Sequence, residues 1–411
     1  MKKMIFLSLL VASAFSLRAQ SENKVVIGII DSVHSKILGE QRKIWVYVPN
    51  SGNDGIYSKQ RYPVVYLLDG DAHFSSVVGM IQQLSQVNGN TICPEMIVVG
   101  IPNTDRTRDL TPTQITSDLP MMDSASSVNS GGGEKFISFI EKELIPHIDS
   151  LYPTQSYRML IGHSFGGLTV INTIVHHTNL FNSYVAIDPS MWWDHYRLLN
   201  EARIVLASKE FKGTSLFLGI ANTMPEGMDT SAAINDTSLY TKQIRSILKL
   251  NSYLNANKQN ALNSKSKYYY GDDHGSVPLI AEYDALHFIF NYYPMKLSMA
   301  EYLDTNKDVI SKMEKHYEEI SRHLGYTVKL PESTVNGMGY MKLAAKSFDI
   351  AEYLFKLNIA NYPESANAFD SLGDLYAAKG DTENAVVNFK KALSIKEMPE
   401  TKTKLGKLLK P

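Results

Sequence analysis

Between residues 25 and 290 the chain alternates short apolar runs with longer amphipathic ones, and polar stretches rich in Gly, Asp, Asn and Ser separate them. The short runs have strand length; the longer ones repeat their apolar positions at helical spacing. Residues 25–38 and 41–48 are β-rich and meet at Gly39-Glu40, which predicts an antiparallel pair. Residues 63–68 (PVVYLL) and 96–101 are continuously apolar, as expected of parallel strands covered on both faces. Further strands are predicted over 157–161, 184–187, 214–220 and 267–270, and helices over 75–87, 134–151, 167–177, 238–254 and 279–290. The 134–151 helix is marked by Phe136, Ile137, Ile140, Leu144, Ile145 and Ile148, and Pro153 stops it. This alternation predicts an α/β fold with a doubly wound, mostly parallel sheet, whose ligands bind beyond the carboxyl ends of the strands.

After Asn291-Tyr-Tyr-Pro294 the pattern becomes helical and more charged. Ser298 with Glu301, and Thr305 with Asp308, have the form of helix starts. Ile310, Met313, Tyr317, Ile320 and Leu324 then make one apolar face that ends at Gly325. Beyond Pro331, Gly339, Ala351 and Phe355 recur 34 positions later as Gly373, Ala385 and Phe389. The second copy, with Phe369, Leu372, Gly373, Tyr376, Gly380, Ala385, Phe389 and Ala392, resembles the tetratricopeptide (TPR) pattern. The first copy is degenerate, with Lys342 in place of the tyrosine and Asn358 in place of the second alanine. The expected organisation is a signal peptide over 1–20, a catalytic domain over 21–295, and a small all-α TPR-like domain over 296–411. Its repeats would span about 332–365 and 366–399.

The leader is read from Lys2 and Lys3, an apolar run from Met4 to Leu17, and a small residue at Ala19. It is too short to span a bilayer comfortably, and no other segment is apolar enough to do so. The only cysteine is Cys93, so no intrachain disulfide forms, and export without one fits a bacterial periplasm or cell surface. The 411 residues carry a net charge of −1, which gives no reason to expect a nucleic-acid partner.

Candidate chemistry centres on Gly162-His163-Ser164-Phe165-Gly166, between a predicted strand and a predicted helix. G-x-S-x-G in that setting is the nucleophile elbow of an α/β-hydrolase. Glycines two positions before and after the serine let strand and helix crowd together. A serine hydroxyl needs a base and an acid that orients the base, and in this fold the chain order is serine, acid, histidine. His274, in the polar turn after the last predicted strand, is the expected base. The acid is expected after the 214–220 strand, where Glu226 is preferred and Asp229 is the alternative. Asp272 and Asp273 read as solvated turn residues. The oxyanion donors are expected to be the backbone N–H groups of Phe165 and Asp71. No metal or organic cofactor is required. Arg106 and Arg108, in the long polar stretch 102–133, are candidates to bind a carboxylate, a phosphate or an electron-rich ring, and Trp192 and Trp193 to wall the pocket.

Leu67-Leu-Asp-Gly70, Gly162-His-Ser-Phe-Gly-Gly167, Pro189-Ser-Met-Trp-Trp193 and Asp273-His-Gly275 together resemble the Putative esterase (esterase D-like) family over roughly residues 25–293. That group includes trilactone-siderophore esterases, feruloyl esterases, formylglutathione hydrolases and mycolyltransferases. The segment from Asn103 to Pro112 looks most like the siderophore-esterase branch. The resemblance implies a serine ester hydrolase acting on a small-molecule ester through an acyl-enzyme, with Arg106 or Arg108 holding the acyl or catecholate part. It also supports Glu226, through the comparable loop of the mycolyltransferases. A feruloyl or acetyl ester of a polysaccharide is the alternative substrate. An interaction module, with the TPR-like tail gripping a protein and the hydrolase as a scaffold, is the alternative of a different class.

Overall fold

The computed structural model describes residues 24–50, 55–115, 127–303 and 306–410. The expected signal peptide and Thr305 lie outside the described residues. Eight strands form one sheet: β1 Ile29–Ser35, β2 Glu40–Tyr47, β3 Tyr62–Leu68, β4 Ile97–Ile101, β5 Thr154–His163, β6 Ser183–Ile187, β7 Ser215–Ala221 and β8 Asn263–Tyr269. Their order is β1-β2-β4-β3-β5-β6-β7-β8. The β1–β2 and β2–β4 pairs are antiparallel and the others parallel.

The helices before residue 295 are α1 Gly70–Ser85, α2 Arg106–Leu110, α3 Gly133–Phe139, α4 Ile145–Leu151, α5 Phe165–His176, α6 Trp193–Ser208, α7 Thr230–Asn235, α8 Lys242–Ala256 and α9 Val277–Ile289. A π-turn over Ile140–Leu144 joins α3 to α4, so the single helix expected there is continuous but locally underwound. Helix α6 was not expected, although Leu198, Ala202 and Leu206 recur every fourth position along it and all are buried.

Side chains alternate across the sheet. Val64, Tyr66, Leu68 and Leu160 face a core formed with α3, α4, α5, α6 and α8. Val65, Leu67, Met159 and Ile161 face a second core formed with α1 and α9. The architecture is the expected α/β-hydrolase class, and it brings the carboxyl ends of β3, β5 and β6 side by side.

The C-terminal helices are α10 Met299–Leu303, α11 Lys307–Leu324, α12 Glu332–Ala344, α13 Phe348–Asn361, α14 Ala366–Ala378, α15 Thr382–Ile395 and α16 Pro399–Leu408. Ser298 and Glu301 cap α10 reciprocally. Asn306 caps α11, accepting from the N–H groups of Asp308 and Val309. Ile320 and Leu324 of α11 belong to the second core of the sheet. The 34-residue repeat is a repeated contact. A β-carbon at Gly339 would lie 2.5 Å from the Phe355 ring, and one at Gly373 would lie 2.6 Å from Phe389. Each glycine thus admits the aromatic ring of the next helix. Among the described residues no helix is long and apolar enough to cross a membrane.

Candidate active site

Three non-glycine residues adopt positive φ at the carboxyl ends of neighbouring strands: Asp69 after β3 (51°), Ser164 after β5 (60°) and Asp188 after β6 (40°). Such conformations cost roughly 1–3 kcal/mol each and persist where surrounding contacts hold them. Ser164 is held by its N–H donating to the Ile187 carbonyl (3.0 Å) and by its own carbonyl accepting from Ser190 N–H (3.1 Å). A β-carbon at Gly162 would sit 2.4 Å from the backbone of Gly166, so only glycine fits the turn.

His274 follows β8, with its ring 43% exposed. Its Nδ1 lies 2.6 Å from Oδ2 of Asp188, a fully buried carboxylate. The acid beside the histidine is therefore Asp188, and the expectation of Glu226 is corrected. Glu226 is exposed and makes no hydrogen bond to His274 among the described residues. Asp229, the alternative, caps α7 by accepting from Ala232 N–H at 2.7 Å. The physical reason is register: Asp188 lies one residue past Ile187, which pairs with His163 next to the nucleophile. The loop after β7 has another task. Asn222 donates from its backbone to Asp272 (2.8 Å) and from its side chain to the Tyr270 carbonyl (3.0 Å), anchoring the histidine loop. Besides His274, the Asp188 carboxylate accepts from Ala221 N–H (3.0 Å) and Gln243 Nε2 (2.9 Å). Ser164 Oγ lies 3.4 Å from Ser190 Oγ and makes no hydrogen bond to His274. Nucleophile–base contacts of free enzymes often tighten only with substrate in place.

Phe165 opens α5 and Asp71 lies in the first turn of α1, where backbone N–H groups have no intrahelical partner. Because β3 and β5 are neighbours, the two helix starts are adjacent. A β-carbon at Gly166 would meet Asp69 Oδ2 at 3.2 Å.

Arg106 grips buried Asp69 with a fork, Nε to Oδ1 at 2.6 Å and Nη2 to Oδ2 at 3.0 Å, while Asn103 donates to Oδ1 at 2.7 Å. The Leu-Leu-Asp-Gly and Asn-Thr-Asp-Arg segments are thus two halves of one contact. Arg106 also lies 5.3 Å from the Phe165 ring centroid, is 36% exposed, and has no partner for Nη1 among the described residues. Arg108 is not brought to the site. Its nitrogens bond Asp109 (2.7 Å) and Glu40 (2.8 Å), in a network completed by Arg42. The Asp109 contact, with Glu40, raises the Arg108 pKa above its ordinary range. Burial pushes the Glu40 carboxyl up, but hydrogen bonds from Arg108, Arg42 and Thr104 outweigh it and hold it at about 2. The reason is shape: a guanidinium fork already matched to two carboxylates has no edge left for a ligand.

Trp193 is buried and donates to the Thr113 carbonyl at 3.1 Å, so it belongs to the core and not to the pocket wall. Trp192 is half-buried, 6.3 Å from Phe165 between ring centroids, and Lys242 Nζ lies 5.2 Å over its ring.

Behind His274 stands a row of titratable groups the sequence reading did not connect. The His163 ring is 4.5 Å from that of His274 and 6.0 Å from that of His73, and His73 Nδ1 is 3.9 Å from Glu282 Oε1. Burial, then the charges of His274 and His73, lower the His163 pKa to about 4. Burial alone pushes the Glu282 carboxyl up to about 8. Both groups are neutral at pH 7.

A siderophore triacetylfusarinine C esterase of Aspergillus fumigatus is 26% identical over 174 residues, 42% of this chain and 59% of the relative. The ferri-bacillibactin esterase BesA of Bacillus subtilis is 32% identical over 142 residues, 32% of this chain and 49% of the relative. The chain thus spans about half the length of the curated relatives it matches. A solved structure of an IroE-like serine hydrolase from Shewanella oneidensis superposes with a TM-score of 0.66 at 29% identity, covering 80% of this chain and 98% of that one. Residues 35–243 match the family described as Putative esterase, and the chain belongs to that family.

Proposed function

We propose that the protein is an exported serine ester hydrolase acting on a siderophore-like or other aromatic carboxylic ester. The observation that carries this reading is the 2.6 Å Asp188–His274 contact beside a serine held at φ 60°. In the reaction, His274 Nε2 takes the Ser164 hydroxyl proton as Oγ bonds the ester carbonyl carbon. The oxyanion is held by Phe165 N–H and Asp71 N–H. When the ester C–O bond breaks, His274 returns the proton to the leaving alcohol, and water then cleaves the acyl-enzyme by the same steps in reverse order of partners. Asp188 holds the imidazole with Nε2 turned to the serine. No cofactor takes part.

The substrate class rests on the siderophore esterases among the relatives and on Arg106, whose free Nη1 suits a catecholate oxygen or a carboxylate. Trp192 would wall the acyl side. Residues 1–20 are read as the secretory leader that takes the protein to the periplasm or cell surface. Residues 296–411 are read as a TPR-like docking region for a protein partner.

The test is fluorophosphonate labelling with parallel turnover of a catechol trilactone ester. Ser164→Ala should lose labelling and at least ~10³-fold in kcat. Asp188→Asn should lose on the order of 10³–10⁴-fold, while Glu226→Gln stays within twofold. Full activity in Ser164→Ala would overturn the reading. Activity lost in Glu226→Gln but kept in Asp188→Asn would overturn the assignment of the acid.

A further inference from the structure

Gln243 lies in the first turn of α8. Its Nε2 donates both to the Asp188 carbonyl and to Asp188 Oδ2, each at 2.9 Å. Its Oε1 accepts from the Trp192 indole N–H at 2.5 Å. The amide cannot be turned over without loss. An indole N–H only donates and a carboxylate only accepts, so the reversed amide would face donor to donor and acceptor to acceptor. Trp192 thereby fixes which way round the amide stands, and the amide fixes the carboxylate. Trp192 is itself clamped, with Lys242 Nζ over its ring at 5.2 Å and the buried indole of Trp193 at 6.0 Å. The turn that follows, Asp194-His195-Tyr196, has three successive positive φ values, and Lys242 also caps the Tyr196 ring at 5.9 Å.

Asp188 Oδ2 thus accepts from Gln243 on one side and His274 on the other. Without Gln243 the partners left to the carboxylate among the described residues are Ala221 N–H at Oδ1 and His274 itself at Oδ2, so nothing but the imidazole would hold Oδ2 in place. We infer that Gln243 is a positioning residue for the Asp188–His274 pair, with Trp192 as the lock that orients its amide. This rests on the serine-hydrolase reading above.

Gln243→Leu, Gln243→Glu and Trp192→Phe in the full chain test it, with p-nitrophenyl acetate turnover from pH 5.5 to 9 and fluorophosphonate labelling rates. The charged or titratable groups around the pair are His274 on the loop after β8, His163 at the end of β5, and Lys242 next to Gln243. All three remain in every variant. Gln243→Leu should lower kcat by roughly 10- to 100-fold with KM within threefold, as losses of supporting hydrogen bonds generally do. Trp192→Phe should fall between Gln243→Leu and wild type in kcat.

Gln243→Glu carries the distinguishing signature. The introduced carboxyl donates to Asp188 only while protonated, and two adjacent carboxylates resist ionising together. The ratio of its kcat/KM to that of wild type should therefore fall as pH rises. A merely structural role would lower the melting temperature and cut activity by the same factor at every pH. A flat ratio, or Gln243→Leu within twofold of wild-type kcat, overturns the inference. If wild type labels at Ser164 and the variants label at its rate, only the role of Gln243 fails. If folded wild type does not label, the hydrolase reading fails and takes this one with it.

Discussion

Replacing Glu282 with Gln should stabilise the protein increasingly as pH rises. Glu282 sits on α9 with 2% of its side chain exposed, and among the described residues its Oε2 has no hydrogen-bond partner and the cation candidate facing it, His73, is 3.9 Å from Oε1. Burial raises its carboxyl from an ordinary 4.5 to about 8. Below pH 4.5 folded and unfolded chains both hold the proton, and the group has no effect on the balance. Between 4.5 and 8 only the folded chain holds it, so stability is lost at ~1.4 kcal/mol per pH unit. At pH 7 the accumulated loss is about 3 kcal/mol, and it levels off near pH 8 at roughly 5 kcal/mol. A glutamine keeps the shape and cannot ionise, so its own amide adds an offset that does not change with pH.

The assay is chemical denaturation of both proteins at pH 5, 6, 7 and 8, reading the difference in unfolding free energy. His73 and His163 titrate in both proteins, so their contributions largely cancel in that difference. The expected result is a difference that climbs in favour of Glu282→Gln across the series. A difference that stays constant from pH 5 to 8 would refute the argument, because it would mean that the folded carboxyl titrates in its ordinary range.

Two further outcomes follow from the same contacts. Arg106→Gln should raise KM for a catechol or anionic ester by ~10-fold or more, since it removes the Nη1 donor that would make a charge-assisted hydrogen bond to the substrate oxygen and also the fork on Asp69 that aims it; Arg108→Gln should leave KM unchanged but lower the melting temperature, and the reverse pattern would restore Arg108 to the pocket. Truncation after residue 295 should abolish cooperative unfolding, because it strips Ile320 and Leu324 from the core they share with Met159 and Phe290 and breaks the Tyr292–His323 stack at 3.9 Å. Those two side chains alone contribute roughly 1.5–3 kcal/mol each. A chain ending at Pro331 keeps α11 and should fold; if residues 21–295 alone melted cooperatively at the full-length temperature, α11 would be dispensable to that core.

The elbow was legible because its chemistry is local. Gly162, Ser164 and Gly166 belong to one turn, and Gly162 has its steric reason in the Gly166 backbone four residues on. His274 was legible from its place after the last strand. The acid was not, because the order serine, acid, histidine is satisfied equally by the ends of β6 and β7. Choosing between them needs the sheet register that puts Ile187 opposite His163. A signal was present: Asp188 begins the segment Asp-Pro-Ser-Met-Trp-Trp, already singled out for its resemblance, and it ends an apolar strand as Asp69 does. The arginines show the same limit. Arg106 and Arg108 differ by two positions in one polar stretch, and nothing in composition separates them. Asp69 selects the first over a separation of 37 residues, and Glu40, 68 residues away, captures the second together with the adjacent Asp109. Gln243 lies further from reach. Its only local context is a helix start, and its meaning comes from an indole 51 positions away and a carboxylate 55 positions away. What one sequence displays are groups whose roles are settled by their neighbours in the chain. Residues that orient those groups are settled across the sheet, and in this molecule they are held by contacts as short as those of the catalytic candidates themselves.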